Sequence, residues 1–373
     1  MLYIHIPFCK SRCIYCNFFS SISLMGKKKY VDAICSELEQ RSNYLNSNIL
    51  DTIYLGGGTP SLLEYDDLKM IFAKISEIFT ISHNAEITLE CNPDDINTKF
   101  ISQIKQLPIN RISLGVQSFD DEELLFLKRR HSAAEAKQSV RLLQKSGFKN
   151  ISIDLMYSLP KQTNKSWYNS LSEALTLDIQ HISAYSLTYE KNTKLYRMLK
   201  QKEIESSNDN DSLEFFRTLR HRLLENGFEH YEISNFARTD FHSRHNSGYW
   251  QNKQYLGIGA SAHSYNGYQR CWNIPNIEKY CNGIFSHNPN IEREVLSDKE
   301  RYNETIFLSL RTMKGIDLSH LEAIFGKEKL KLCINDAKKY IENSLLENVN
   351  NHLRLTEKGI FLSDGIMSDF MIC

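Results

Sequence analysis

Cys9-Lys-Ser-Arg-Cys13-Ile-Tyr-Cys16 is a CxxxCxxC run that follows a strand-like segment, Leu2 to Ile6, and a Pro7-Phe8 turn. Thiolates are soft ligands, and three on one tight loop can each bind one iron of a [4Fe–4S] cubane, which leaves the fourth iron without a protein ligand. That open iron is a site for a small chelating molecule. Zinc is the competing reading, but structural zinc sites commonly pair two CxxC-like knuckles, and the chain has no second knuckle and no HxxxH. Phe8, Tyr15, Phe18 and Phe19 would shield a cluster from water and tune its potential. The other six cysteines, Cys35, Cys91, Cys271, Cys281, Cys333 and Cys373, stand alone and read as buried or incidental thiols. An odd total of nine, spread over the whole length, argues against a disulfide framework.

Further polar residues recur where apolar runs end. Gly56-Gly57-Gly58-Thr59-Pro60 would let backbone approach a ligand closely, although a tight turn without a ligand needs the same glycines. Glu90 closes TLECNP, Gln117 and Ser118 follow LGVQSF, and Asp154 lies in ISIDLMYSLP; all four are expected at one rim, with helix capping as the alternative for each. Arg129 in LKRRH could pair with a carboxylate or stand in solvent. In His245-Asn246-Ser247-Gly248-Tyr249-Trp250 an imidazole beside two flat rings suits a porphyrin, while a core histidine packed among aromatics is the plainer reading. His242 could join the same site or lie in a solvated loop.

These positions require a scaffold of alternating strands and helices. LYIHI, TIYLG (Thr52 to Gly56), EITLE (Glu86 to Glu90), RISLGV (Arg111 to Val116), ISIDLM (Ile151 to Met156) and HISAYSL (His181 to Leu187) read as strands. Helical patterns such as Tyr30 to Leu45, Leu68 to Phe79 and Ala133 to Ser146 separate them, the last stopped by Gly147. Six βα units make an incomplete barrel or a doubly wound sheet, and in either the chemistry sits at the carboxyl ends of the strands. Residues 200–212 read as a polar surface loop before a helix from Leu213 to Glu225. From about Leu296 the chain turns helical and charged, then ends in HLRLT and a last helix, a pattern open to a small winged-helix-like module. With 373 residues, two or three domains are expected. Lys+Arg and Asp+Glu both number 45, which leaves no net field for nucleic acid or an anionic membrane and favours a packing or interface role for that module. No apolar run approaches the ~20 residues of a bilayer span and no secretory signal is visible, so a cytoplasmic location is expected.

Taken in order, YIHIPFC, CxxxCxxC, LGGGTP, LGVQSF and IDLMYSLP resemble the radical S-adenosylmethionine (SAM) family of oxygen-independent coproporphyrinogen III dehydrogenase and its heme-chaperone relatives, from Tyr3 to at least Tyr265. The resemblance implies an α/β fold: a partial (β/α)6 TIM-like barrel over 1–212, a smaller α+β region over 213–295, and a mostly helical, winged-helix-like domain over 296–373. It implies a [4Fe–4S] cluster on Cys9, Cys13 and Cys16, with the methionine end of SAM on the open iron and SAM cleaved to a 5′-deoxyadenosyl radical. Tyr3, Tyr15, Gly57, Gly58, Thr59, Glu90, Gln117, Arg129 and Asp154 are similar in position to the family's SAM-contacting residues, and Thr188 and His263 fall at weaker positions. Ile14 stands where the family commonly has Pro, and Asn17 where it has Asp; neither removes a ligand.

Within that family, the dehydrogenase carries a long segment before its cluster and a further cysteine two residues after the third cluster cysteine. Here eight residues precede Cys9 and position 18 is Phe. HNSGYW matches the HNxxYW pattern of the chaperone branch, in which the histidine is implicated in heme binding, so His245 becomes the candidate axial ligand. The expected function is to bind heme and deliver it to target hemoproteins such as respiratory enzymes, with the dehydrogenase as the alternative. Implied partners are heme, the acceptor hemoprotein, an electron donor for the cluster and a second copy of the chain, with membrane contact only through the target. No catalytic residue is assigned, and whether SAM is turned over is left open.

Overall fold

Apolar residues at every second position of the first six strands build one wall of the core, and the residues between them face the other way. A computed structural model describes residues 1–372; Cys373 lies outside the described residues. Strands β1 (Leu2–Ile6), β2 (Ile49–Gly57), β3 (Thr80–Cys91), β4 (Arg111–Gln117), β5 (Ile151–Tyr157) and β6 (His181–Ser186) run parallel in chain order, joined by helices. These helices are α1 (Lys27–Gln40), α2 (Tyr65–Ile78), α3 (Thr98–Ile104), α4 (Asp121–Phe126), α5 (Ala133–Lys145) and α6 (Asn164–Leu175). A doubly wound sheet would reverse strand order at a switch point; the order here never reverses, so right-handed crossovers put the helices on one face and leave the other as a barrel interior. Ile4, Leu55, Leu89, Leu114, Ile153 and Ile182 point to the helices and are fully buried. Tyr3, Tyr54, Thr88 and Arg111 occupy alternate positions in register along the inner face, and Ser113, Ser152 and His181 form a second such row two positions further along β4.

Helices α7 (Lys194–Lys200), α8 (Asp209–Glu225) and α9 (Arg244–Trp250) follow, with strands β7 (Glu229–Glu232), β8 (Asn235–Ala237) and β9 (Leu256–Ile258). All three strands join the main sheet, giving the order β7-β8-β6-β5-β4-β3-β2-β1-β9, so the sheet continues past residue 212. Its edges, β7 and β9, do not pair, and the barrel stays open. A second sheet of β10 (His263–Tyr265), β11 (Gln269–Asn273) and β12 (Ile291–Val295) carries α10 (Ile277–Phe285). Its anchor is Glu37 of α1, fully buried yet satisfied by Arg41 (3.0 Å), Asn273 (2.8 Å), Tyr280 (2.7 Å) and the Gly259 amide (2.9 Å). The last region contains α11 (Asp298–Leu310), β13 (Ile316–Asp317), α12 (Leu318–Glu342), β14 (Leu346–Val349), β15 (His352–Leu355), α13 (Glu357–Ile360) and α14 (Ser363–Asp369). Helices around a small antiparallel sheet, β13-β15-β14, give it the winged-helix-like order. No described helix is long and apolar enough to cross a membrane.

Some boundaries differ from the sequence reading. The helix expected to Leu45 ends at Gln40, because the Ser- and Asn-rich RSNYLNSN that follows favours turns over helix. The loop expected to residue 212 gives way to α8 at Asp209, where the Asn208 side chain caps the Asp211 amide (2.9 Å). Strand β3 begins six residues earlier than expected, at Thr80, where it continues the ladder with Ile49 and Leu50 across a bulge.

Candidate functional site

At the carboxyl ends of the strands lies a cavity of about 620 Å³, lined by all three cysteines of the CxxxCxxC run. The loop that carries them is closed by two backbone bonds, Ser21 N to Pro7 O (2.7 Å) and Cys9 N to Ser21 O (2.9 Å). Its tip is held by Ile14, which is buried with Leu127, Met156, Leu159, Leu187 and Leu195 and accepts the Leu195 amide (2.9 Å). A β-branched apolar residue here therefore has a packing role of its own.

Two polar side chains reach the sulfurs. Arg129 Nη1 donates to Cys13 Sγ (3.3 Å) and Thr59 Oγ1 donates to Cys9 Sγ (3.6 Å). Asn92 ties them together, donating to Thr59 (3.1 Å) and accepting from Arg129 (2.6 Å). Burial raises the thiols of Cys9 and Cys16 above their ordinary range, so iron binding there must displace their protons. Among the described residues no three His, Cys, Asp or Glu side chains converge on a single metal ion. A cubane asks for something different, one thiolate per iron, and three half-buried free thiols around one cavity fit it.

The glycine run packs on this loop. A Cβ on Gly58 would lie 2.8 Å from the backbone of Ile6, Pro7 and Phe8, and Gly57 adopts φ 109 against the His5 ring. Both readings of GGG therefore coincide: the turn needs glycine for packing, and its backbone lines the cavity. Glu90 accepts from Tyr54 Oη (2.7 Å) and Gly57 N (3.0 Å); burial outweighs these bonds and pushes its carboxyl up to about 7. Asp154, across the cavity, is pushed up to about 6 for the same reason. Gln117 sits at φ 71 just after a register shift between β4 and β5, a left-handed position that sets its side chain on the cavity wall. Tyr15, Thr59, Arg129 and the exposed Thr188 also line the cavity.

Other expected positions are not brought together. Ser118 turns away from the rim, donating to Glu123 (2.6 Å) and accepting the Asp120 amide (3.0 Å), a turn that leads into α4, whose cap is Asp120 itself. Tyr3 lies inside the barrel below the cavity, its hydroxyl on His5 Nδ1 (3.0 Å), and His5 Nε2 meets the Phe19 carbonyl (2.9 Å). His263 sits on the second sheet against Trp272, away from the cavity. Cys35, Cys91, Cys271, Cys281 and Cys333 are buried as expected, although Cys91 also touches the cavity wall. Asn92 and His5 escaped the sequence reading; each stands within three residues of a motif residue, in ECN and IHIPFC, which is the only signal they carry.

His245 takes the core position among packed aromatics that its surroundings in the sequence also allowed. It is buried on the barrel floor, with Nδ1 on Thr52 Oγ1 (2.8 Å) and Nε2 on Tyr249 Oη (2.9 Å), and its ring lies 5.1 Å from that of Tyr54. Glu86 accepts the amides of Arg244 (3.0 Å) and His245 (2.9 Å) at the start of α9. Burial lowers the imidazole to about 3, so it is neutral, with each nitrogen on a hydroxyl partner. The Arg311 guanidinium lies over the Trp250 ring, 4.9 Å from its centroid. His242 lies nearer the surface, stacked on Tyr231 and bonded to Glu229 (2.8 Å).

Comparison with known proteins agrees with this geometry. The model of the radical SAM superfamily matches residues 3–174 and that of the HemN C-terminal domain matches residues 296–362. The chain is 33% identical to the heme chaperone HemW of Lactococcus lactis subsp. lactis, over 99% of this chain and 97% of that one. It is 32% identical to the heme chaperone HemW of Bacillus subtilis, over 99% and 98%. In structure it is similar to the Escherichia coli coproporphyrinogen III oxidase HemN, a radical SAM enzyme, with a TM-score of 0.85 and 22% identity over 99% of this chain and 89% of that one, a likeness of fold. A three-cysteine loop on the first strand of an open six-unit barrel, and identity over nearly the whole length of these relatives, place the chain in the HemW heme-chaperone family of the radical SAM superfamily.

Proposed function

We propose that this chain binds heme and hands it to an acceptor hemoprotein, while Cys9, Cys13 and Cys16 hold a [4Fe–4S] cluster and the cavity beside them holds SAM. The observation that carries the reading is identity along essentially the whole chain to relatives named for heme chaperoning, together with a cavity that gathers the three cysteines and most of the expected SAM residues. When bound, the cluster supplies an electron to SAM, and a reductant of low potential is needed to provide it. The chain's own residues do the holding. Glu90 and Asp154 offer carboxylates to the ammonium and hydroxyl groups of SAM, and Gln117 adds an amide on the same wall. Arg129 keeps a buried Nε without a partner, a donor suited to a carboxylate, while its Nη1 withdraws charge from Cys13.

A HemN-like fold raises a second reading, oxidative decarboxylation of coproporphyrinogen III. The two separate under anaerobic conditions with reconstituted protein, SAM and a reductant. Coproporphyrinogen III is expected to remain unconsumed; its stoichiometric conversion to protoporphyrinogen would replace the chaperone reading by the dehydrogenase.

A further inference from the structure

Both hydrogen bonds to cysteine sulfur lean on one short segment, Asn92-Pro93-Asp94-Asp95, the turn that leaves β3. Asn92 touches the two donors, Thr59 and Arg129, directly. Asp95 reaches one of them from behind. Its carboxylate accepts from Lys10 Nζ on Oδ1 (2.6 Å) and from Ser61 Oγ on Oδ2 (2.8 Å). Lys10 is the residue after Cys9, and Ser61 stands two after Thr59. A closed circuit therefore runs from Cys9 through Lys10, Asp95 and Ser61 to Thr59, and back across the 3.6 Å contact of hydroxyl and sulfur. Asp94, next in the turn, holds Arg130 (2.7 Å), the neighbour of Arg129. The Asp95 side chain is only 4% exposed, while that of Lys10 is 43% exposed. Taking a carboxylate out of water is expensive, and a pair with so exposed an ammonium is screened and returns little, so the arrangement contributes position more than stability.

We propose that Asp95 is a positioning residue for the iron–sulfur cluster: by fixing Lys10 and Ser61 it aims the Thr59 hydroxyl at Cys9 and so raises the reduction potential of the cluster; this rests on the cluster reading of Cys9, Cys13 and Cys16. A hydroxyl that donates to an iron-bound thiolate stabilises the more negative, reduced cluster, so the bond makes the electron easier to add. Asn92 donates its amide to the Thr59 oxygen, which leaves the Thr59 proton for sulfur. The charge of Asp95 by itself would act the opposite way, since a carboxylate close to the cluster disfavours an added electron. The sign of the shift in a variant therefore tells positioning from charge.

The test is a redox titration of the full-length, cluster-reconstituted protein without SAM, with the reduced cluster counted by electron paramagnetic resonance. Thr59→Val removes the hydroxyl and keeps the shape. At a fixed solution potential it should lower the ratio of reduced to oxidised cluster about tenfold, a fall of about 59 mV in midpoint for a one-electron couple. Asp95→Ala should lower the ratio in the same direction, by about threefold or more, and should add nothing in the Thr59→Val background, because the two changes act through one bond. Asp95→Asn offers one acceptor oxygen instead of two and should fall between Asp95→Ala and wild type; it carries the test if Asp95→Ala assembles no cluster. An unchanged or raised midpoint in the Asp95 variants overturns the proposal. So does a Thr59→Val protein with the wild-type midpoint, or a shift by Asp95→Ala that is the same with and without the Thr59 hydroxyl. Each of these outcomes leaves the cluster assignment standing. If wild type assembles no [4Fe–4S] cluster, the cluster reading falls and the positioning role with it.

Discussion

Cys9, Cys13 and Cys16 each sit in a different local environment, against Thr59, Arg129 and the backbone of the loop, yet all three open on one cavity. Replacing the three by Ala should abolish the brown chromophore of the reconstituted protein, since a methyl group offers iron no ligand. Cys35→Ser and Cys271→Ser should retain it; iron loss in either, with the fold intact, would mean a different ligand set. Glu90 gives a pH signature. Its folded value of about 7 lies above the ordinary 4.5, so between those limits the folded chain binds more protons than the unfolded one. Stability contributed by the protonated carboxyl is thus full below 4.5 and lost as pH rises through 7. Glu90→Gln removes that titration. In the ligand-free protein the variant should gain on wild type, on the order of 2 kcal/mol, as pH is raised across this window, measured by urea unfolding. Parallel pH profiles for the two proteins would show that Glu90 does not titrate there.

Helix α9 has a structural task that its composition conceals. His245, Thr52, Tyr249 and Glu86 close the barrel floor by hydrogen bonds, and the Tyr54 ring above them donates to Glu90. His245→Ala leaves Thr52 and Tyr249 without partners beside a cavity, and should cost about 2–4 kcal/mol of stability, read by denaturant unfolding. Unchanged stability would show that these bonds do not hold the barrel floor together. The same helix shows where sequence stops informing. Strict alternation in RISLGVQ and ISIDLMY announces strands with one apolar face, and the polar residues at their ends face the cavity. An isolated histidine carries no such pattern, since its role depends on Thr52, 193 positions away. Strands β7, β8 and β9 are three or four residues long, too short for a period to declare itself, and only pairing with β6 and β1 defines them. Ser118 could be read as rim or cap and is neither, since its bonds to Asp120 and Glu123 form the turn before a helix that Asp120 caps.

At the scale of the whole molecule, the barrel, the second sheet and the C-terminal helices are joined by buried polar contacts more than by charge. Glu37 binds α1 to β11 and α10, and backbone bonds from Ile233 to Arg311 (3.0 Å) and Met313 to Tyr231 (3.1 Å) bind the C-terminal region to the end of the main sheet. With equal numbers of basic and acidic residues, 45 each, the chain carries no net charge to steer a partner over long range. The cysteine cavity lies at one end of the barrel, at the carboxyl ends of its strands. The decisive measurement is anaerobic heme transfer: cluster-reconstituted protein loaded with stoichiometric heme is mixed with an apo-hemoprotein, and the acceptor's Soret band is followed over time. The expected result is saturable heme binding by the reconstituted chain and growth of the acceptor spectrum faster than from free heme. No heme retained by the reconstituted chain, together with consumption of coproporphyrinogen III under the same conditions, would contradict it.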